Sequence, residues 1–287
     1  MNSQNSATRW RQVNLWCDDW QAAEQMAFTH LGPLLTEADH TEYITCWWFV
    51  RKGASWRLRF LPIDSRDGTG TTFVAQLTGT LTDQGAIRRW TRAIYEPEIH
   101  AFGGADAMGV AHALFHADSR LLLRHLARSR KDHRRELGLL LGTRLMRAAR
   151  QDWYEQGDIW SNVAAHRVAD HHQPDPSPIA VTAAHQLLIA AADTDDSPLR
   201  SAPAWPAAFR YAGRELADLA GQGSLTRGLR AVLTHHVLFA WNRLGISAQQ
   251  QHLLAAAASK AVFQRELAPD PGLACGCAVP SRLQCPR

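Results

Sequence analysis

The chain has 287 residues, 46% of them apolar and 20% charged, with a formal net charge of +4. That length can bury one large core or two modest ones, and the composition is that of an ordinary globular protein. No run approaches the roughly 18 apolar residues of a membrane span, and the opening MNSQNSATRWRQ lacks a secretory apolar stretch, so no membrane partner and a cytoplasmic location are expected.

WRQVNLWC (residues 10–17) reads as a strand. Asp18 or Asp19 then caps a helix from about Trp20 to Leu35, ended near Gly32 and Pro33 or just after. TCWWFVRK (45–52) and WRLRFLP (56–62) form a hairpin about the turn Lys52-Gly53-Ala54-Ser55. Side chains repeat every two residues along a strand, so Arg57 and Arg59 share a face. Residues 64–70 form a loop, a helix runs to about Asp83, and IRRWTRAIYEPE (87–98) is a further strand entering a YEPE turn. This βα-ββαβ-like order predicts an α+β fold whose N-terminal region is a small mixed sheet of the ferredoxin-like kind, with helices on one face.

After Gly103-Gly104 the pattern turns helical. AMGVAHALFHADSRLLLRHLA and HRRELGLLLGTRLMRAAR are helices, DWYEQGDIWSNVAAHR is a corner packed by Trp153 and Trp160, and four more helices lie near 178–193, 206–221, 224–241 and 247–265. The expected organisation is a sheet and helix region over 1–103, a helical region of the same domain over 104–268, and a flexible Cys/Pro/Gly tail over 269–287. Cys17 and Cys46 read as small buried hydrophobes. Cys275, Cys277 and Cys285 lack the paired spacing of a zinc site. The basic run RHLARSRKDHRR (124–135) reads as a solvated helix end; an acidic partner or nucleic acid is the alternative.

His112 and His116 lie four residues apart, on one face of a helix. Position 113 is Ala113, where a zinc-protease motif carries its Glu, so no metal is expected. The two histidines are expected to face the sheet beside the FGG turn. Asp118 and Ser119 are read as stabilising the local helix or turn. Gly103 and Gly104 permit backbone geometry closed to other residues.

The order of WRQVNLWC, FVRKGASWRLRF, YEPEIHAFGG, LFHADS, DWYEQGDIW and FAWNRLGI resembles the C-terminal domain of class I lantibiotic dehydratases, and its stand-alone forms called thiopeptide-type bacteriocin biosynthesis proteins. The resemblance implies maturation of a ribosomally synthesised precursor peptide. The step it implies is elimination of glutamate from glutamylated Ser or Thr, with a separate glutamylation protein as partner and no cofactor, metal or direct nucleic-acid contact. The alternatives are pyridine formation by aza-cycloaddition of two dehydroalanines, or a non-catalytic peptide-binding subunit.

Elimination needs a base near Cα and cations for the departing carboxylate, a task suited to the arginine fork. The resemblance maps Arg57 and Arg59 onto a functional R-x-R hairpin. It also maps Tyr95, Glu98, Gly103 and Gly104 onto a Y-x-x-E-x-x-R-Y-G-G turn, in which Ala101 and Phe102 replace Arg-Tyr. His100, one place earlier, is the candidate replacement cation or base. Leu238 and Ala240 stand where elimination-active members carry histidines before Asn242 and Arg243, and His235 and His236 lie about one turn further back. The expected catalytic set is therefore Arg57, Arg59, His100, His235 and His236. Tyr95, Glu98, Gly103, Gly104, His112, His116, Asn242 and Arg243 are expected to bind substrate.

Overall fold

The structure, a computed structural model, describes residues 9–40, 43–63, 68–128, 133–167, 175–190, 199 and 202–264. The Cys-containing tail lies outside the described residues, as does the middle of the basic run.

Four strands form one sheet: β1 (Arg11–Trp16), β2 (Ile44–Lys52), β3 (Ser55–Pro62) and β4 (Arg89–Ala93). Their order is β2-β3-β1-β4, and every pairing is antiparallel. The expected mixed sheet is thus corrected. The β2–β3 hairpin inserts β3 between β1 and β2, so the two strands that run in parallel never pair. The result is the ferredoxin-like βαββαβ arrangement.

Asp19 accepts the Ala22 N–H (2.8 Å) and starts α1 (Trp20–Met26). A π-helical turn, Ala27–Leu31, carries the chain into α2 (Gly32–His40). The helix therefore passes through Gly32 and Pro33 rather than stopping there. A proline has no N–H to contribute, and it is tolerated in the first turn of a new helical segment. α3 (Thr69–Asp83) completes the layer. Val13, Leu15, Trp47, Phe49, Trp56, Leu58 and Phe60 alternate along the strands and bury one sheet face against these helices. Each such side chain contributes roughly 1.5–3 kcal/mol by leaving water.

The helical layer comprises α4 (Ala105–Arg128), α5 (Arg134–Ala148), α6 (Trp153–Ala165), α7 (Pro178–Ala190), α8 (Ala204–Gly221), α9 (Leu229–Leu244) and α10 (Ala248–Phe263). DWYEQGDIW opens α6 through a capping box of Asp152 and Glu155. It then drives Trp160 into the core, stacked on Trp241 with centroids 5.6 Å apart. Tyr154 stays exposed and stacks on Phe263.

β2 is an edge strand, and α4 closes it. His116 Nδ1 lies 2.8 Å from the Trp47 carbonyl oxygen and 3.2 Å from its amide nitrogen, and Ser119 Oγ accepts the Phe49 N–H at 3.4 Å. Side chains thus occupy backbone groups that would otherwise template another strand. Ser119 acts across elements rather than within its own helix, and so does its neighbour. Asp118 accepts from Arg243 Nε (2.6 Å) and Trp205 Nε1 (2.7 Å), joining α4 to α9 and α8.

Candidate functional site

The sheet face turned away from α1–α3 is polar on β1 and β3 and apolar on β2, where Trp48 and Val50 are buried. Register places Gln12 beside Arg59 and Asn14 beside Arg57 on one side, and Trp48 and Val50 beside the same arginines on the other. Thr91 and Ala93 extend this face onto β4. Arg59 is its anchor. It donates Nε–H to Gln12 Oε1 (2.8 Å), and its guanidinium lies 4.3 Å from the Trp48 ring centroid and 4.5 Å from that of Tyr95. Burial lowers its pKa to about 10, with Tyr95 and Glu98 opposing, so it stays charged at neutral pH. Arg57 is half-buried and Glu98 exposed.

Tyr95 and His112 form one unit, 2.8 Å from phenol oxygen to Nε2. Burial first, then Arg59, pulls His112 down to about 4. Burial pushes Tyr95 well above its ordinary range. Both are neutral at pH 7, so the phenol donates and the imidazole accepts. The His112 ring also packs 4.5 Å from Trp10. His116 faces the other way, onto the β2 edge.

The YEPE segment is a tight turn. Phe102 N–H donates to the Glu98 carbonyl (3.1 Å) and Gly104 N–H to that of Ile99 (2.9 Å). His100 sits exposed on this turn. Gly103 and Gly104 have φ of +89° and +113°, and a Cβ on Gly103 would stand 2.8 Å from a Val232 methyl of α9. The missing side chain lets the turn lie directly on α9.

α9 carries the remaining candidates, and they separate. His236 is fully buried, 5.0 Å from Phe102 by ring centroids, and neither ring nitrogen has a hydrogen-bond partner among the described residues. Burial, with Arg243 and His235 nearby, lowers it to about 3. His235 points elsewhere: Nδ1 lies 3.0 Å from the Ala231 carbonyl, and the ring stands 5.3 Å from His166. Burial is the largest cause of its lowered pKa. Arg227 Nη1 reaches both the Ala101 carbonyl and His235 Nδ1, each at 3.5 Å. Asn242 Oδ1 accepts from Arg167 (3.1 Å) and Gln251 (3.0 Å), away from the sheet. Arg243 is fully buried, paired with Asp118, its guanidinium 4.5 Å from the Phe115 ring.

The structure therefore brings Arg57, Arg59, Tyr95, Glu98 and His112 to one place. The glycine turn and His100 lie at its border, His235 stands beside the turn through Arg227 and the Phe102 ring (centroids 6.2 Å), and Asn242 lies apart. Gln12, Asn14, Trp48 and Arg227 escaped the sequence reading. For the first two, the alternation of WRQVNLWC carried the signal, since Gln12 and Asn14 alternate with Val13 and Leu15. Among the described residues, no group of three His, Cys, Asp or Glu could hold a metal ion, and no helix is long and apolar enough to cross a membrane.

The model of the lantibiotic biosynthesis dehydratase C-terminal family matches residues 10–262. No curated protein matches the sequence. The fold is similar to that of the tRNA-dependent lantibiotic dehydratase MibB from Microbispora sp. 107891 (TM-score 0.61, 17% identity), with 91% of this chain covering 28% of that one. It is also similar to TbtD, the pyridine synthase from thiomuracin biosynthesis (TM-score 0.60, 12% identity, 90% of this chain and 98% of that one). TsrL is a third similar structure (TM-score 0.56, 14% identity, 91% and 99%). The match over nearly the whole described chain, on this sheet and these helices, means that the chain belongs to the lantibiotic biosynthesis dehydratase C-terminal family.

Proposed function

We propose that the protein eliminates glutamate from glutamylated Ser or Thr residues of a ribosomally synthesised precursor peptide, leaving dehydroamino acids. A separate protein supplies the glutamyl ester. The observation that carries this reading is the arginine pair on the polar sheet face. Arg59 is fixed by Gln12 and two aromatic rings, with Arg57 two residues away on the same face. A preorganised guanidinium binds a departing carboxylate at little reorganisation cost. In the step, a base takes the Cα proton, the Cα–H electrons form the Cα=Cβ bond, and the Cβ–O bond breaks to release glutamate. His100, exposed on the adjoining turn, is the base candidate that solvent and peptide can reach. Buried His236 and lowered His112 are poor proton acceptors near pH 7.

A second reading has its own observation. Ala101 stands where the family turn carries arginine, and Leu238 and Ala240 stand where elimination-active members carry histidine. That loss favours pyridine formation, which TbtD performs and in which orientation of two dehydroalanines supplies much of the rate. Incubation with a glutamylated precursor, followed by mass spectrometry, decides. Loss of glutamate supports elimination. No change there, but ring formation with loss of the leader from a dehydroalanine-bearing peptide, supports cycloaddition. Binding without mass change leaves only a peptide-holding role.

A further inference from the structure

The two edges of the sheet differ. His116 and Ser119 of α4 close β2. β4 is the other end of the order β2-β3-β1-β4 and pairs with β1 alone. Among the described residues, no loop or side chain bonds to its outer backbone edge. Its side chains are uncovered too: Arg89, Trp90, Thr91 and Arg92 are all exposed, and Ile94 just beyond them is 87% exposed. A bare strand edge is a row of unmet N–H and C=O groups, ready to pair with another extended chain.

Charge along this edge selects what can pair there. Residues 88–93 read RRWTRA, three arginines and no acid. Arg88 pairs with Asp18 (2.6 Å), while Arg89 and Arg92 have no carboxylate partner among the described residues. Arg89 lies over the Trp16 ring, 4.2 Å from its centroid, on the sheet face that carries Asn14. Arg92 and Trp90 lie on the other face. Two copies of the chain pairing edge to edge would set these arginines against their own mates, and like charges across a ladder are destabilising. An acidic segment meets no such penalty. Trp90, 36% exposed, and Ile94 offer it apolar surface beside the charges.

We infer that the outer edge of β4 is a docking site for an extended, acidic segment of a peptide, which adds to the sheet as a fifth strand. Main-chain hydrogen bonds hold such a segment, and its alternate side chains meet Arg89 on one face and Trp90 and Arg92 on the other. The register makes this edge continuous with the arginine face. Thr91 and Ala93 lie beside Asn14 and Gln12, which lie beside Arg57 and Arg59. An added strand stands three strand spacings from β3, roughly 14 Å, which about four extended residues span. The docked segment and the reacting residue are therefore about four or more residues apart. That spacing rests on the arginine face being the reactive one; the docking does not.

Calorimetric titration of the whole protein with the acetylated, amidated peptide Ile-Glu-Val-Glu-Val-Glu-Ile tests it, together with hydrogen exchange. Saturable binding is expected, with slowed exchange within residues 89–93. Arg89→Glu with Arg92→Glu, both exposed, should weaken binding at least tenfold. A peptide with Lys for Glu should bind that variant better than it binds the wild type. Two further peptides carry N-methyl groups on alternate amides, odd in one and even in the other. One should lose binding and the other keep it, since a single edge of the added strand faces β4. Arg57→Ala should leave the affinity unchanged, which separates this edge from the arginine face. No saturable binding, protection confined to other segments, or equal affinity for the wild type and the reversed variant would each overturn the inference. So would a peptide-free dimer protected at residues 89–93, which would assign the edge to a second copy. None of these readouts requires turnover, so a failure of docking and a failure of glutamate release are separate results.

Discussion

Asp118 and Arg243, 125 residues apart in the chain, form an ion pair with side chains only 1% and 0% exposed. Trp205 donates to the other oxygen of the same carboxylate. One acid therefore holds three helices together. Asp118→Asn leaves a buried guanidinium without a counter-charge and should cost about 3–5 kcal/mol in urea unfolding. The paired change Asp118→Leu with Arg243→Met removes the unpaired charge but strands the Trp205 N–H, so it should recover only part of that loss. A single variant within about 1 kcal/mol of wild type would contradict the burial described.

His236 makes an acid-sensitive core. Its folded pKa, about 3, lies below the roughly 6.5 of an unfolded histidine. The stability tied to its neutral form is complete above pH 6.5 and is lost as pH falls toward 3. His236→Phe removes this proton linkage. Across that window its stability should fall less steeply than wild type, by up to about 1.4 kcal/mol per pH unit. At pH 7 it should gain about 1 kcal/mol, because two unpartnered nitrogens leave an aromatic cluster. His112 titrates in the same direction and remains, so the acid slope shrinks without vanishing. Identical pH profiles for the two proteins would refute the assignment.

The closed β2 edge gives a local prediction. His116→Ala and Ser119→Ala should each cost about 0.5–1.5 kcal/mol. Together they should speed hydrogen exchange at the Trp47 and Phe49 amides while leaving β1 amides protected. If those two amides exchange no faster, another group closes the edge.

The strand and helix order was legible because its periods are strong. Val13 and Leu15 alternate with Gln12 and Asn14, and the helices after Gly104 repeat their apolar residues. Gly32-Pro33 misled because a π turn resets the helix there, a solution that local propensity does not announce. The shared face of Arg57 and Arg59 followed from strand alternation alone. The work of His116 and Ser119 could not be read, since it depends on β2 lying at the edge. Asp118 met Arg243 through tertiary packing, and His235 and His236, adjacent in sequence, part company by the 100° step of a helix. The resemblance at FAWNRLGI therefore singled out this helix without telling a sealed histidine from one facing its neighbours.

The arginine face carries the prediction closest to chemistry. Arg59→Lys keeps a charge but loses the fork. Arg59→Met keeps the fit between Trp48 and Tyr95 but loses the charge. If Arg59 holds the departing carboxylate, both should lower kcat for glutamate release by about a hundredfold or more, with the fold intact by circular dichroism. Gln12→Leu frees Arg59 Nε from its only side-chain partner among the described residues and should cost about tenfold in kcat with little change in KM, because it acts by positioning. Arg57→Ala, on the same face but half-exposed, should act mainly on KM. Unchanged turnover in Arg59→Met would remove the polar sheet face from the reaction and leave it a peptide-holding surface.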